Sequence, residues 1–301
     1  MADSTARLRR KIGSAADLQS VVRAMKAQAA ASVGQYAKSV AALGDYARTV
    51  EIGLGACLRQ DLTSAPRSTP TEAPTRPIRA VVFGSDQGLV GRFNDTVAEH
   101  VARSLPARQS GPQVWAVGER MGASLADNGM VAQDTFAVPA TVHAITRLVT
   151  DILVAVVDAI PVSAGPDEKS ELHLFYNRPR TGSTYAPVGQ RLLPLDDKWR
   201  PAMAGRPWPT RLPPQLVGHS ADVMRGLIIE YVFVSIFRAS AESLASENAS
   251  RLAAMDRADR NIDKMLLALH DRSRRLRQSK IDEELSDVIS GFKSLIRQVG
   301  S

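Results

Sequence analysis

All 17 prolines of this 301-residue chain lie between Pro66 and Pro214, leaving 65 residues before them and 87 after them with none. Proline deletes a helix hydrogen-bond donor and clashes with the preceding turn, at a cost of about 3 kcal/mol in a helix interior. The chain is thereby divided into two helix-permissive ends and a middle that must turn. Glycine is also absent from Leu227 to Ser290. At 1.5 Å per residue that stretch can run as one helix of about 96 Å, longer than a compact domain is wide.

Both ends carry helical patterning. In the C-terminal segment Met224, Leu227, Ile228, Tyr231, Val234, Ala241, Leu244, Ala245, Leu252, Met255, Ile262, Leu266 and Leu269 recur at steps of three and four, which puts them on one side of a helix. Between residues 271 and 280 the stripe is overrun by Asp271, Arg272, Arg274, Arg275, Arg277 and Lys280, a pattern that reads first as a solvated face. A weaker stripe, from Leu8 and Ile12 through Val22, Met25, Ala29 and Tyr36 to Leu54, marks the N-terminal segment. Two such stripes cover each other most economically as a long antiparallel two-helix coiled coil.

The middle is then a separate insert, and it reads as an α/β domain with a Rossmann-like sheet. Strands are expected at Ile78–Phe83, Gln113–Val117 and Glu171–Tyr176, with extended chain from Tyr185 to Leu195. Helices are expected at Asn94–Leu105, Glu119–Asp127 and Thr141–Ala159. Proline-rich Ser64–Pro77 reads as the linker in and Pro201–Pro214 as the linker out. The expected organisation is residues 1–65 as the N-terminal coiled-coil helix, 66–214 as the insert with its linkers, and 215–301 as the C-terminal helix.

With 44% hydrophobic and 23% charged residues the chain has a globular balance, which excludes a disordered protein. One cysteine, Cys57, excludes an internal disulfide framework and a cysteine-cluster metal site, and a reducing, cytoplasmic setting fits. The N-terminus lacks the apolar block of a secretory signal. The longest apolar run, Leu227–Phe237, is broken by Glu230 and falls short of the roughly 20 residues that cross a bilayer. A net charge of +7 leaves acidic proteins, nucleic acid and anionic membranes open as partners.

Catalytic patterns are missing. The five histidines, at 100, 143, 173, 219 and 270, have no metal-ligand spacing. Gly84-Ser-Asp-Gln-Gly88-Leu-Val-Gly91 follows an expected strand, but its spacing matches neither a dinucleotide fingerprint nor a P-loop, and no lysine follows. Glycines easing a tight strand-to-helix turn explain it better. No catalytic, cofactor-binding or metal-binding residue is therefore assigned.

Three stretches together resemble the gamma subunit that forms the central shaft of F-type rotary ATP synthases. Leu8-Arg-Arg-Lys-Ile-Gly-Ser14 with Gln19 and Arg23-Ala-Met-Lys26 is similar to that family's opening, and Ser85-Asp-Gln-Gly-Leu-Val-Gly-Arg-Phe-Asn94 to its second block. The most specific is Glu242-Ser-Leu-Ala-Ser-Glu-Asn-Ala-Ser-Arg251 with Ala254-Met255, followed by Arg277-Gln278, Ile281, Glu284-Leu285 and Ile289-Ser-Gly291. Departures at Ser20, Ala27, Gln28, Arg92, Asp282 and Phe292 suggest a divergent branch, with the sodium-linked type of rotary ATPase as one candidate.

The resemblance implies a non-catalytic rotor shaft that couples ion-driven rotation of a membrane c-ring to ATP synthesis or hydrolysis on alpha and beta subunits. It implies alpha, beta and epsilon subunits and the c-ring as partners, and a peripheral place at the cytoplasmic face of a bacterial inner membrane. Carried over at matching positions, Arg23, Met25, Lys26, Arg251, Gln278, Asp282 and Glu284 would meet the alpha/beta ring. For Met25 a place in the coiled-coil core is an equal expectation. Two other classes remain open on the residues alone. One is a nucleic-acid-binding coiled-coil protein, disfavoured by 13 basic against 12 acidic residues in the C-terminal segment. The other is a nucleotide-binding enzyme built on the insert.

Overall fold

The structure, a computed structural model, describes residues 2–64, 77–106, 111–158, 171–180, 185–194, 199–212, 214–215 and 217–299. Its elements in chain order are α1 (Ala2–Ser64), β1 (Ile78–Phe83), α2 (Phe93–Ser104), β2 (Gln113–Val117), α3 (Glu119–Asp127), β3 (Ala132–Phe136), α4 (Val142–Asp158), β4 (Glu171–Pro179), β5 (Tyr185–Leu193), α5 (Trp199–Ala204) and α6 (Ser220–Val299). The proline-free ends are thus the helices α1 and α6, of 63 and 80 residues. Beyond its two end residues, the linker expected at Ser64–Pro77 lies outside the described residues.

The five strands form one sheet in the order β3-β2-β1-β4-β5, parallel throughout except for the antiparallel pair β4 and β5. β1 is buried along its whole length, because successive side chains alternate between two covered faces. Ala80 and Val82 point to a layer with Val97, Ala98 and Val101 of α2 and Met121 and Leu125 of α3. Val81 and Phe83 point to the opposite layer, which holds Ile145, Val149 and Ile152 of α4 together with Leu54 of α1 and Tyr231, Ile236 and Ala241 of α6. The sheet therefore buries its second face partly against the two long helices.

Two elements differ from the sequence expectation. β3, Ala132-Gln-Asp-Thr-Phe136, has three exposed residues at its centre. Its composition carries no strand signal, and pairing with β2 at the sheet edge supplies the backbone hydrogen bonds that make it one. α5 occupies the start of the stretch expected as a linker, Pro201–Pro214. Pro201 stands in the first turn of α5, where its missing N–H has no intrahelical acceptor to lose.

The chain forms two compact units, Ala29–Arg251 and the pair of segments Met1–Gln28 with Leu252–Ser301. In the second, Val22 of α1 is buried with Met255 and Ile262 of α6, and Met25, Ala254, Ala258 and Leu266 pack around them. Among the described residues no helix is long and apolar enough to cross a membrane.

Candidate functional site

Parallel sheets of this kind bind ligands where the strand order reverses, at the carboxyl ends of the central strands. Here that point lies between β1 and β4, and a helix fills it. Asn177, at the end of β4, donates from Nδ2 to the carbonyl of Phe93 at 2.9 Å. Its own carbonyl accepts from Ser246 Oγ of α6 at 2.9 Å. Ser250 Oγ donates to the carbonyl of Val90 in the β1–α2 loop at 2.6 Å. The small residues Ala239, Ser240, Ala241, Ser243, Ala245 and Ser246 are all buried, and their size is what lets α6 approach the strand ends.

The β1–α2 loop is held by its own side chains. The Ser85 N–H donates to Asn94 Oδ1 at 3.0 Å, and Asn94 Nδ2 donates to Ser85 Oγ at 2.9 Å. Asp86 accepts from the backbone N–H of Glu119 at 3.1 Å and of Val138 at 2.9 Å. Its carboxylate thus sits at the N-terminus of α3, where a doubly wound sheet would receive a phosphate. Within this loop Gly91 has a φ of +62°, and a Cβ on Gly84 would lie 2.5 Å from Asn94 Oδ1, so these two glycines serve the turn; Gly118, with a φ of +106°, stands in the β2–α3 turn.

Glu247 and Arg251 form an ion pair of 2.7 Å in this seam, with side chains 5% and 14% exposed. Burial pushes the Glu247 carboxyl up from its ordinary value; the Arg251 charge and hydrogen bond oppose this and the charge of Asp86 adds to it. Among the described residues, the buried side-chain polar atoms without a hydrogen-bond partner are Asn177 Oδ1, Ser243 Oγ, Glu247 Oε2 and Arg251 Nε. All four belong to this junction of α6 with the sheet.

In the other unit, Arg23 Nε lies 3.1 Å from Asp259 and its Nη2 lies 3.6 Å from Asp263. Lys26 Nζ is 2.5 Å from Asp256. Gln19, itself buried, donates to Asp259 at 3.0 Å and to Asp263 at 2.5 Å. The Lys26 hydrogen bond holds the Asp256 carboxyl below its ordinary value, and the Gln19 hydrogen bond, aided by Arg23, does the same for Asp259. A depressed carboxyl contributes stability above its unfolded-state value and loses it as pH falls through the folded-state value. Acid titration of the full chain, followed by helix ellipticity, is therefore expected to show a loss of helix on the acid side of the ordinary carboxylate range. In Asp259→Asn that acid-dependent loss should be smaller, and an unchanged profile would remove Asp259 from the account.

The sequence-derived contact residues separate into two groups. Met25 is half-buried against Val22, Met255 and Ile262, and Arg23, Lys26 and Arg251 are paired within the chain. Gln278, Asp282 and Glu284 are exposed on α6, where Glu284 pairs only loosely with Lys280 at 3.4 Å. Exposed apolar side chains stand among them, Ile281, Leu285, Val288 and Ile289. In the neighbouring basic run Arg274 pairs with Asp271. Sequence reasoning missed Asp256, Asp259 and Asp263, although their three-and-four spacing is visible in the chain.

A family model described as ATP synthase matches residues 4–295. The ATP synthase gamma chain of Syntrophus aciditrophicus (strain SB) is 26% identical over 296 residues, covering 96% of this chain and 98% of its own. That of Parafrankia sp. (strain EAN1pec) is 27% identical over 302 residues, covering 98% and 99%. Among solved structures, the rotor of Euglena gracilis mitochondrial ATP synthase in rotational state 1 has a chain similar to this one with a TM-score of 0.65. That likeness covers 93% of this chain and all of the other at 13% identity. A chain from the central stalk and c-ring of Tetrahymena thermophila mitochondrial ATP synthase matches with a TM-score of 0.54 at 19% identity, covering 79% and 99%. At these identities the structures speak for the fold.

Proposed function

From the premise that this chain belongs to the ATP synthase gamma-chain family, we propose that it works as the central shaft of a rotary ATP synthase. It transmits torque between a membrane c-ring and the alpha and beta subunits, and it carries no catalytic group. The epsilon subunit is a further partner, and attachment to the membrane is indirect, through the c-ring. Residues 2–28 of α1 pair with α6 from residue 252 onward as an antiparallel coiled coil, a reading supported by contacts in which a higher number on one helix meets a lower number on the other.

The observation that carries this reading is the end of α6. A helix that exposes Ile281, Leu285, Val288 and Ile289 at 57%, 59%, 70% and 48% presents apolar surface suited to a surrounding partner. The exposed polar residues Gln278, Asp282 and Glu284 then touch the alpha/beta ring. A shaft without three-fold symmetry meets each of three catalytic subunits differently, so its angle biases their nucleotide affinities.

Affinity purification of the tagged chain from native membranes in mild detergent is expected to recover alpha, beta, epsilon and c subunits together. Recovery of the chain without them would refute the reading. In the purified complex, joint replacement of Gln278, Asp282 and Glu284 by alanine is expected to lower ATP-driven ion pumping per ATP hydrolysed without loss of subunits. Unchanged pumping would remove these three from the contact surface.

A further inference from the structure

Gln19, Arg23 and Lys26 stand four and three residues apart on α1, and Asp256, Asp259 and Asp263 stand three and four apart on α6. Each set therefore lies along one face of its helix. The faces meet: Gln19 reaches Asp259 and Asp263, Arg23 reaches the same two, and Lys26 reaches Asp256, with Asp259 at 4.0 Å. Beneath this ladder lies a seam of aliphatic side chains and methionine, Val22, Met255 and Ile262 flanked by Met25 and Leu266. Side chains of similar size interdigitate again after a slip of one turn, so such a seam sets register weakly, whereas polar groups at a helix seam set it strongly.

The ladder does not tolerate a slip. Moving α1 one turn in one direction puts Ala15, Gln19 and Val22 where Gln19, Arg23 and Lys26 stood, and Asp256 then faces valine. Moving it the other way brings Arg23, Ala27 and Ala30 to those places, and Asp256 faces alanine in place of Lys26. Either slip leaves at least one carboxylate without its cation. A partly covered carboxylate stripped of its cation loses both a charge-assisted hydrogen bond and the charge that offsets its desolvation.

We infer that these six residues are a register lock between α1 and α6, with Asp256, Asp259 and Asp263 as positioning residues for torque. Arg23 and Lys26 serve the coupling by holding the two helices in step, not by touching a partner subunit. Twist applied to one helix reaches the other through the rungs. The part of this inference that concerns torque rests on the shaft reading above; the lock itself does not.

Charge reversal tests it. In the full chain, Arg23→Asp and Asp259→Arg are each expected to lower the helix melting temperature by several degrees, and the double reversal is expected to restore most of the loss. In the assembled complex each single reversal should lower ions pumped per ATP hydrolysed at least about twofold, the size expected for coupled neighbours, and the double reversal should recover it. A double reversal whose losses simply add overturns the lock. Restored melting with pumping still depressed would overturn the assignment of Arg23 to an internal role, because it would place the arginine charge against a partner. Absence of partners from the wild-type complex would refute the shaft reading, and the melting cycle would still decide the lock.

Discussion

Replacing Arg251 by alanine is expected to cost about 3–5 kcal/mol of stability at neutral pH, the penalty for leaving a buried carboxylate without its counter-charge. Glu247 is 5% exposed in its side chain and Arg251 is its ion-pair partner, so the carboxylate would have neither water nor a cation. Its pKa, already pushed up by burial, would rise further. A folded-state value above the unfolded one means that the penalty is absent below the ordinary carboxylate range and grows as pH rises toward the folded-state value. Urea unfolding of Arg251→Ala at pH 8 should shift the midpoint by on the order of 1 M, and the shift should shrink at pH 5. Glu247→Leu combined with Arg251→Met should recover most of the loss, since apolar replacement of both members of a buried pair is often neutral. A small, pH-independent cost for Arg251→Ala would show that the pair is effectively solvated.

Gly118→Ala is expected to destabilise by about 3 kcal/mol or more, from two penalties at one atom. Its φ of +106° is a conformation that side chains strain to adopt. A Cβ there would also lie 2.7 Å from the backbone carbon and oxygen of Ser85, which forces the β1–α2 loop to shift. That loop is also where Ser250 of α6 takes the Val90 carbonyl. Gly44→Ala is the contrasting variant: it lies inside α1 with nothing within 4 Å of its added Cβ. There alanine should be neutral or stabilising, by up to about 1 kcal/mol. Thermal melts of the two variants side by side should show a loss for Gly118→Ala and none for Gly44→Ala; equal losses would discount the close approach at Gly118.

β1, β2 and α3 begin and end where the sequence expectation put them. Ile78–Phe83 and Gln113–Val117 are short, mostly apolar runs, and such runs report burial on both faces directly. β3 was not legible, because Gln133, Asp134 and Thr135 owe their extended state to β2 and not to their own preferences. The seam at Asn177 was hidden for a different reason. Its serines and alanines read as ordinary helix formers, and only the packing of α6 on the strand ends shows that their small size is needed. The candidate contacts were partly legible: Arg23 and Lys26 stood out as cations on a helical stripe, but the acids they meet lie 236 and 230 residues away.

By itself the sequence determined where helix is permitted, where the chain must turn, which strand faces are apolar and to which family the signatures belong. Those properties follow from the local backbone costs of proline and glycine and from side-chain period, which act within a few residues. Tertiary structure alone decided that α6 occupies the switch point of the sheet, that the i, i+4 pair of Glu247 and Arg251 is buried there, and that Arg23 and Lys26 answer to Asp256, Asp259 and Asp263. These meetings join surfaces that lie from 69 to 244 residues apart in the chain, and no local preference specifies them.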